Sequence, residues 1–176
     1  WYVRMTVIVK EPEIVDNFLS PEEFKIVQDI VLNNKGESYF PWYFAGYVGQ
    51  ENDTNSDGFY FVHNFYEFNK VCSSFLQDTQ KLILSKLKVK NLIRAKANLF
   101  PRTENLITYR KHVDYVEPHT GAVFYLNTCN GFTMLEDDTR IESIANRMLI
   151  FDSSKPHAST NCTDEYRRVN FNFNFI

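Results

Sequence analysis

The sequence predicts an α+β chain with a jelly-roll core, a double-stranded β-helix, and N-terminal helices packed on one of its sheets. Three observations predict this. Helical periodicity is confined to the first half, and from residue 92 onward short β-like segments follow one another. Aromatic residues make up 16% of the chain, with 16 Phe and 10 Tyr, an excess that suits pleated, half-buried surfaces. The last segment alternates strictly, with Val169, Phe171, Phe173 and Phe175 on one face and Arg168, Asn170, Asn172 and Asn174 on the other.

Taken in order, residues 3–9 read as an opening strand. A helix starts at Ser20-Pro21-Glu22-Glu23: Ser20 caps, Pro21 suits the first helical position, and Glu23 completes a capping box. Phe24, Val27, Ile30 and Val31 make its apolar stripe, and Gly36 stops it. Two aromatic runs, Phe40 to Phe44 and Phe59 to Tyr66, flank a polar segment rich in Gly, Asn and Asp over 46–58. That segment reads as a long exposed loop, either a plain surface excursion or a lid. A second helix is expected over about 70–88, with Phe75, Leu76, Thr79, Leu82, Ile83 and Leu87 on one side. Strands follow at about 92–100, 106–114, 121–127, 131–135, 139–144, 147–151 and 165–175, with turn signals at Asn130-Gly131, Asp137-Asp138 and Asn146-Arg147. No stretch has a linker's composition. Residues 1–176 are therefore expected to form one domain, with a helical and aromatic part over 1–91 and the jelly roll over 92–176.

Composition narrows the function. The formal net charge is -3, which is not the basic footprint of a nucleic-acid binder. The run from Lys81 to Lys96 interleaves lysines with Leu, Ile and Val and reads as a solvated face. Cys72, Cys129 and Cys162 are an odd number at unrelated spacings, so reduced thiols in a cytoplasmic setting are expected rather than a disulfide framework. No leader-like opening and no apolar run of membrane-spanning length is seen. The glycosylation patterns at Asn52 and Asn161 are too short to carry weight without a secretory signal.

The chemistry-bearing residues are few. Of four histidines, His112 lies two residues before Asp114 in a strand-like stretch, so both side chains point to one face. His157, from a distant strand, would complete a set of two nitrogens and one carboxylate oxygen, which binds one face of an iron(II) octahedron and leaves positions open. The Asn row headed by Arg168 suits a polar barrel interior better than a solvent face, because Asn is depleted in strands. An inward Arg beside such a site calls for an anion, and a dicarboxylate keto acid fits: one end can chelate the metal and the far carboxylate can pair with the guanidinium. Arg167 is the alternative, since a one-residue slip exchanges the faces.

With His112-Val-Asp114, Lys155-Pro-His157 and Arg168 together, the sequence resembles the iron(II)- and 2-oxoglutarate-dependent oxygenases, in the prolyl-4-hydroxylase-like branch that includes short phage and marine bacterial proteins. Residues 123–127, 130–137 and 146–152 support the resemblance, which is strong over about 92–175 and looser before it. It implies iron held by His112, Asp114 and His157, and the distal carboxylate of 2-oxoglutarate held by Arg168. It also implies contributions to the cosubstrate from Tyr125 and Asn98, dioxygen as second cosubstrate, and ascorbate as reductant. The implied reaction is hydroxylation of a primary substrate, a peptide or a small molecule with peptidyl proline as the analogue, and release of succinate and carbon dioxide. Asn130-Gly131 departs from the pair of glycines more usual at that turn. Two other readings stand beside it: a cupin-type metalloenzyme that does not use 2-oxoglutarate, and a non-enzymatic jelly-roll binding module.

Overall fold

The computed structural model describes residues 11–33, 39–48 and 58–176. The expected strand over 3–9, the helix stop at Gly36, Asn52 and most of the 46–58 loop lie outside the described residues.

The described residues form two helices, a large antiparallel sheet and a small one. The elements are β1 (Glu13–Val15), α1 (Pro21–Val31), β2 (Tyr43–Ala45), β3 (Tyr60–Glu67), β4 (Lys70–Val71), α2 (Phe75–Lys86), β5 (Leu92–Pro101), β6 (Thr120–Tyr125), β7 (Phe132–Met134), β8 (Arg140–Glu142), β9 (Met148–Asp152), β10 (Ala158–Ser159) and β11 (Arg167–Phe175). The large sheet runs β1-β9-β6-β11-β5-β3-β2, with β4 paired to β3, and the small sheet runs β10-β7-β8. This arrangement is consistent with a jelly roll.

Local chemistry explains α1. Ser20 Oγ accepts from Glu23 N at 3.2 Å, and Glu23 Oε2 accepts from Ser20 N at 2.9 Å, a reciprocal cap that contributes about 1 kcal/mol. Its start is sewn to the β8–β9 turn by Asn146, whose side-chain amide exchanges two hydrogen bonds with the backbone of Leu19. Asn146 itself adopts a left-handed backbone conformation, φ 64°, which Asn tolerates.

β11 lies centrally in the large sheet, between β5 and β6. Its apolar face is buried with Val27 and Val31 of α1, Ile83 of α2 and Ala95, Ala97 and Phe124 of the neighbouring strands. Phe65 meets Phe171 edge-on at 5.4 Å. Each fully buried Phe on this face contributes about 1.5–3 kcal/mol.

Several boundaries differ from expectation. The second helix begins at Phe75, because residues 70–71 pair with β3 as β4. Leu82, expected on its apolar stripe, is 38% exposed. The stretch 106–114 is not a regular strand. It is extended chain held by isolated antiparallel bridges, Thr108 to Thr160 and His112 to His157. β1, β2 and β3, all before residue 92, extend the large sheet, so the sheet is not confined to the expected core region. Among the described residues no helix is long and apolar enough to cross a membrane.

Candidate metal centre

The inward face of the large sheet is built from two matched rows. On β5, Arg94, Lys96, Asn98 and Phe100 lie opposite Asn174, Asn172, Asn170 and Arg168 of β11. The small-sheet side brings His157 to His112 through two backbone hydrogen bonds, both 2.9 Å. Asp114 follows two residues after His112. One ligand atom from each of His112, Asp114 and His157 lies within 4.8 Å of the others, and His157 Nε2 is 3.8 Å from Asp114 Oδ2. The three sequence-selected residues thus meet at one point, on the wall of a cavity that Lys96, Asn98 and Asn172 also line.

The donor set suits a divalent metal. Each histidine's Nδ1 faces a backbone carbonyl two residues earlier, His112 that of Arg110 at 3.3 Å and His157 that of Lys155 at 3.0 Å. A protonated Nδ1 there leaves the Nε2 lone pair free, the tautomer a metal requires. Asp114 is oriented from several sides. Arg94 donates to Oδ1 at 2.5 Å, and Ser153 Oγ and Asn174 Nδ2 donate to Oδ2 at 2.8 and 2.9 Å. The remaining contact, from Asn172 Nδ2, is 3.5 Å long. A carboxylate has about two lone-pair sites on each oxygen, so Ser153 and Asn174 fill Oδ2, while Oδ1 keeps one site beside Arg94. Gly121 makes this possible locally, because a Cβ there would collide with the Ser153 side chain.

Electrostatics keep the ligands in their binding forms. Burial, and then the neighbouring His157, push His112 down to about 4, so it is neutral near neutral pH. Burial opposes ionisation of Asp114, but Arg94, His157, Lys96 and the Asn174 hydrogen bond outweigh it and hold the carboxyl well below the usual range.

Arg168 points inward and is fully buried, whereas Arg167 faces the other way and donates to the Leu32 carbonyl at 2.9 Å. Arg168 Nη1 donates to Ser159 Oγ at 2.6 Å and to the Thr160 carbonyl at 3.0 Å, and Nη2 to Thr133 Oγ1 at 3.1 Å. Among the described residues its Nε has no partner. The guanidinium lies 5.5 Å from the rings of both Phe100 and Tyr125. Gly131 gives it room, since a Cβ at 131 would strike the Arg168 side chain and the Asn161 carbonyl. Tyr125 donates its hydroxyl to Thr133 Oγ1 at 2.8 Å. Arg168 and Tyr125 sit one layer behind the cavity wall, which their partners Thr133 and Ser159 form. Asn98 is on the wall itself and donates to Asn170 Oδ1 at 3.0 Å.

Sequence reasoning missed Arg94 and Lys96. Lys96 was expected on a solvated face, yet it lines the cavity. Burial and the nearby Arg94 push its ammonium pKa down to about 8. The signal was present: Arg94, Lys96 and Asn98 alternate with Ala95 and Ala97, both fully buried. The other histidines are placed apart from the triad. His63 is enclosed by Phe40, Phe65 and Phe75, and His119 faces Asn174. The cysteines are free thiols. Cys129, Cys162 and Asp164 form a second close group, but both Asp164 oxygens already accept from Asn130 N.

Comparison with known structures decides the fold. A prolyl hydroxylase from Trichoplax adhaerens, in complex with a hypoxia inducible factor oxygen degradation domain peptide fragment, superposes with a TM-score of 0.64 at 17% identity, covering 93% of this chain and 83% of that one. The viral collagen prolyl hydroxylase of Paramecium Bursaria Chlorella virus-1, in a 2-oxoglutarate complex, gives 0.55 at 15% identity, covering 95% and 97%. This chain has the fold of the 2-oxoglutarate oxygenases. The same fold match extends to SnoN, a non-heme α-ketoglutarate-dependent epimerase from nogalamycin biosynthesis, at 0.63 and 12% identity over 94% and 77%. No family model matches the sequence, and no curated protein matches it.

Proposed function

We propose that this chain is an iron(II)- and 2-oxoglutarate-dependent dioxygenase that hydroxylates its primary substrate. The carrying observation is the convergence of His112, Asp114 and His157, with both imidazole Nδ1 atoms turned to backbone carbonyls. His112, Asp114 and His157 hold the iron, which when bound supplies activation of dioxygen coupled to conversion of 2-oxoglutarate to succinate and carbon dioxide. Arg168 receives the distal carboxylate once the Thr133 and Ser159 hydroxyls turn from accepting its N–H groups to donating to that anion. Tyr125 positions Thr133, and Asn98 lines the path between the two ends. Arg94, Ser153 and Asn174 keep Asp114 ionised and oriented. The large sheet, backed on its apolar face by α1 and α2, keeps this row rigid. Ascorbate serves as an external reductant. A peptide substrate is supported by the peptide complex of the Trichoplax protein, and a small molecule by the SnoN match.

The test is anaerobic. Iron(II) and 2-oxoglutarate together should produce an absorption that neither gives alone, and air with a candidate substrate should release succinate. Absence of metal binding would sink the reading and leave a binding module. The three hydrogen bonds that Arg168 already makes within the protein favour one rival, a metalloenzyme that does not use 2-oxoglutarate. Arg168→Ala separates the two: it should abolish 2-oxoglutarate binding here, and leave such an enzyme largely intact.

A further inference from the structure

Lys96 is a half-buried, cavity-lining cation that neither the triad nor the packing accounts for. It points inward from β5, between Arg94 and Asn98 and opposite Asn172. Arg94 is matched by Asp114 at 2.5 Å. Lys96 has no hydrogen bond and no ion pair among the described residues, and its named contact is the Tyr60 ring at 5.9 Å. An ammonium with reduced access to water and no protein partner is costly, and an anion entering the cavity would offset that cost. Two buried acceptors on the same wall, Asn98 Oδ1 and Asn172 Oδ1, also lack donors among the described residues. The local charges are two cations, Arg94 and Lys96, against two carboxylates, Asp114 and more weakly Glu67, and a metal on the triad would tip that balance positive.

Register separates this position from the Arg168 end. Lys96 pairs with Asn172, four residues along β11 from Arg168, a backbone distance of about 13 Å. Lys96 belongs to the metal end. We propose that Lys96 anchors a carboxylate at the metal end of the cavity. The inference rests on the oxygenase reading and deepens it. The carboxylate has two possible sources, the keto-acid end of 2-oxoglutarate or an acidic primary substrate.

The experiment uses the full chain loaded anaerobically with manganese(II), as wild type, Lys96→Met and Lys96→Arg, each checked by thermal melting. Lys96→Gln replaces the Met variant if that one does not fold. In the first arm, 2-oxoglutarate is titrated by calorimetry. A loss of about tenfold or more in Lys96→Met, recovered in Lys96→Arg, assigns the contact to the cosubstrate. In the second arm, with 2-oxoglutarate saturating, manganese-induced proton relaxation of acetate is compared with that of acetamide. A preference for acetate in wild type and Lys96→Arg that vanishes in Lys96→Met assigns it to the primary substrate. If Lys96→Met matches wild type in both arms, the anchoring role is overturned. If wild type itself binds neither manganese(II) nor 2-oxoglutarate, the oxygenase reading falls instead.

Discussion

The two faces of β11 share one backbone and one environment of neighbouring strands, yet they obey opposite rules. Phe171 and Phe173 on the outer face are wholly buried among hydrocarbon and aromatic groups, and each stabilises the fold by leaving water. Arg168, Asn170, Asn172 and Asn174 on the inner face are almost as buried, but each needs a partner to offset its lost hydration. Where partners are present, as for Asn174 with Asp114 and His119, the position is settled. Where they are missing, as for Arg168 Nε and Asn172 Oδ1, the fold carries a cost. Alternate residues of one strand thus divide stability from chemistry.

The largest test of that division is Phe171→Ala. A cavity there should cost about 3–5 kcal/mol in denaturant unfolding, while metal affinity of the remaining folded protein stays near wild type. Asp114→Ala should lose divalent metal binding altogether, read by calorimetry. It should also destabilise by about 3 kcal/mol, because Arg94 is left largely buried without its carboxylate. If Asp114→Ala kept full stability, the inner face would not be the costly one. Lys96→Met goes the other way. The folded pKa of about 8 lies below the ordinary 10.5, so the unfolded chain binds more protons between those values, and wild-type stability rises with pH across that window. Near pH 7 the penalty is present in full, and removing the charge should stabilise the fold by roughly 1–3 kcal/mol. Denaturant midpoints for both proteins near neutral pH, and again across that window, check the gain and its disappearance.

The same division explains what could be read from the chain. The capping box at Ser20 and the alternation from Arg168 to Phe175 were legible because each is a local pattern with one physical solution. The residue types and spacing of His112, Asp114 and His157 were legible, and the fold brings His157 beside His112. The stretch 106–114 misled because its extended chain makes only isolated bridges, and extension without a ladder has the same sequence pattern as a strand. β3 was hidden inside an aromatic run whose partner, β5, lies about 35 residues away in sequence. Lys96 misled because lysines normally face water. Only the pairing of β5 with β11 turns it inward.

The smallest effect lies outside the inner face, at His63, and it sharpens the comparison by showing a buried polar group that is fully partnered. Nδ1 faces the Pro41 carbonyl at 2.8 Å and Nε2 the Ser73 hydroxyl at 2.7 Å, with the Phe40 ring tilted against it at 4.4 Å. Burial lowers its pKa from the ordinary 6.5, against the opposing Pro41 hydrogen bond. The unfolded chain therefore takes up a proton at higher pH than the folded one. Stability attributable to His63 is intact above 6.5 and is lost progressively as pH falls from there toward the lowered folded value. Denaturant midpoints of wild type and His63→Phe should accordingly converge as pH drops from about 7.5 to about 5.5, if the variant starts less stable for lack of the two hydrogen bonds. A difference that stays constant over that range would mean that His63 gains no charge on unfolding. Its two partners would then fix the imidazole without making it sensitive to acid.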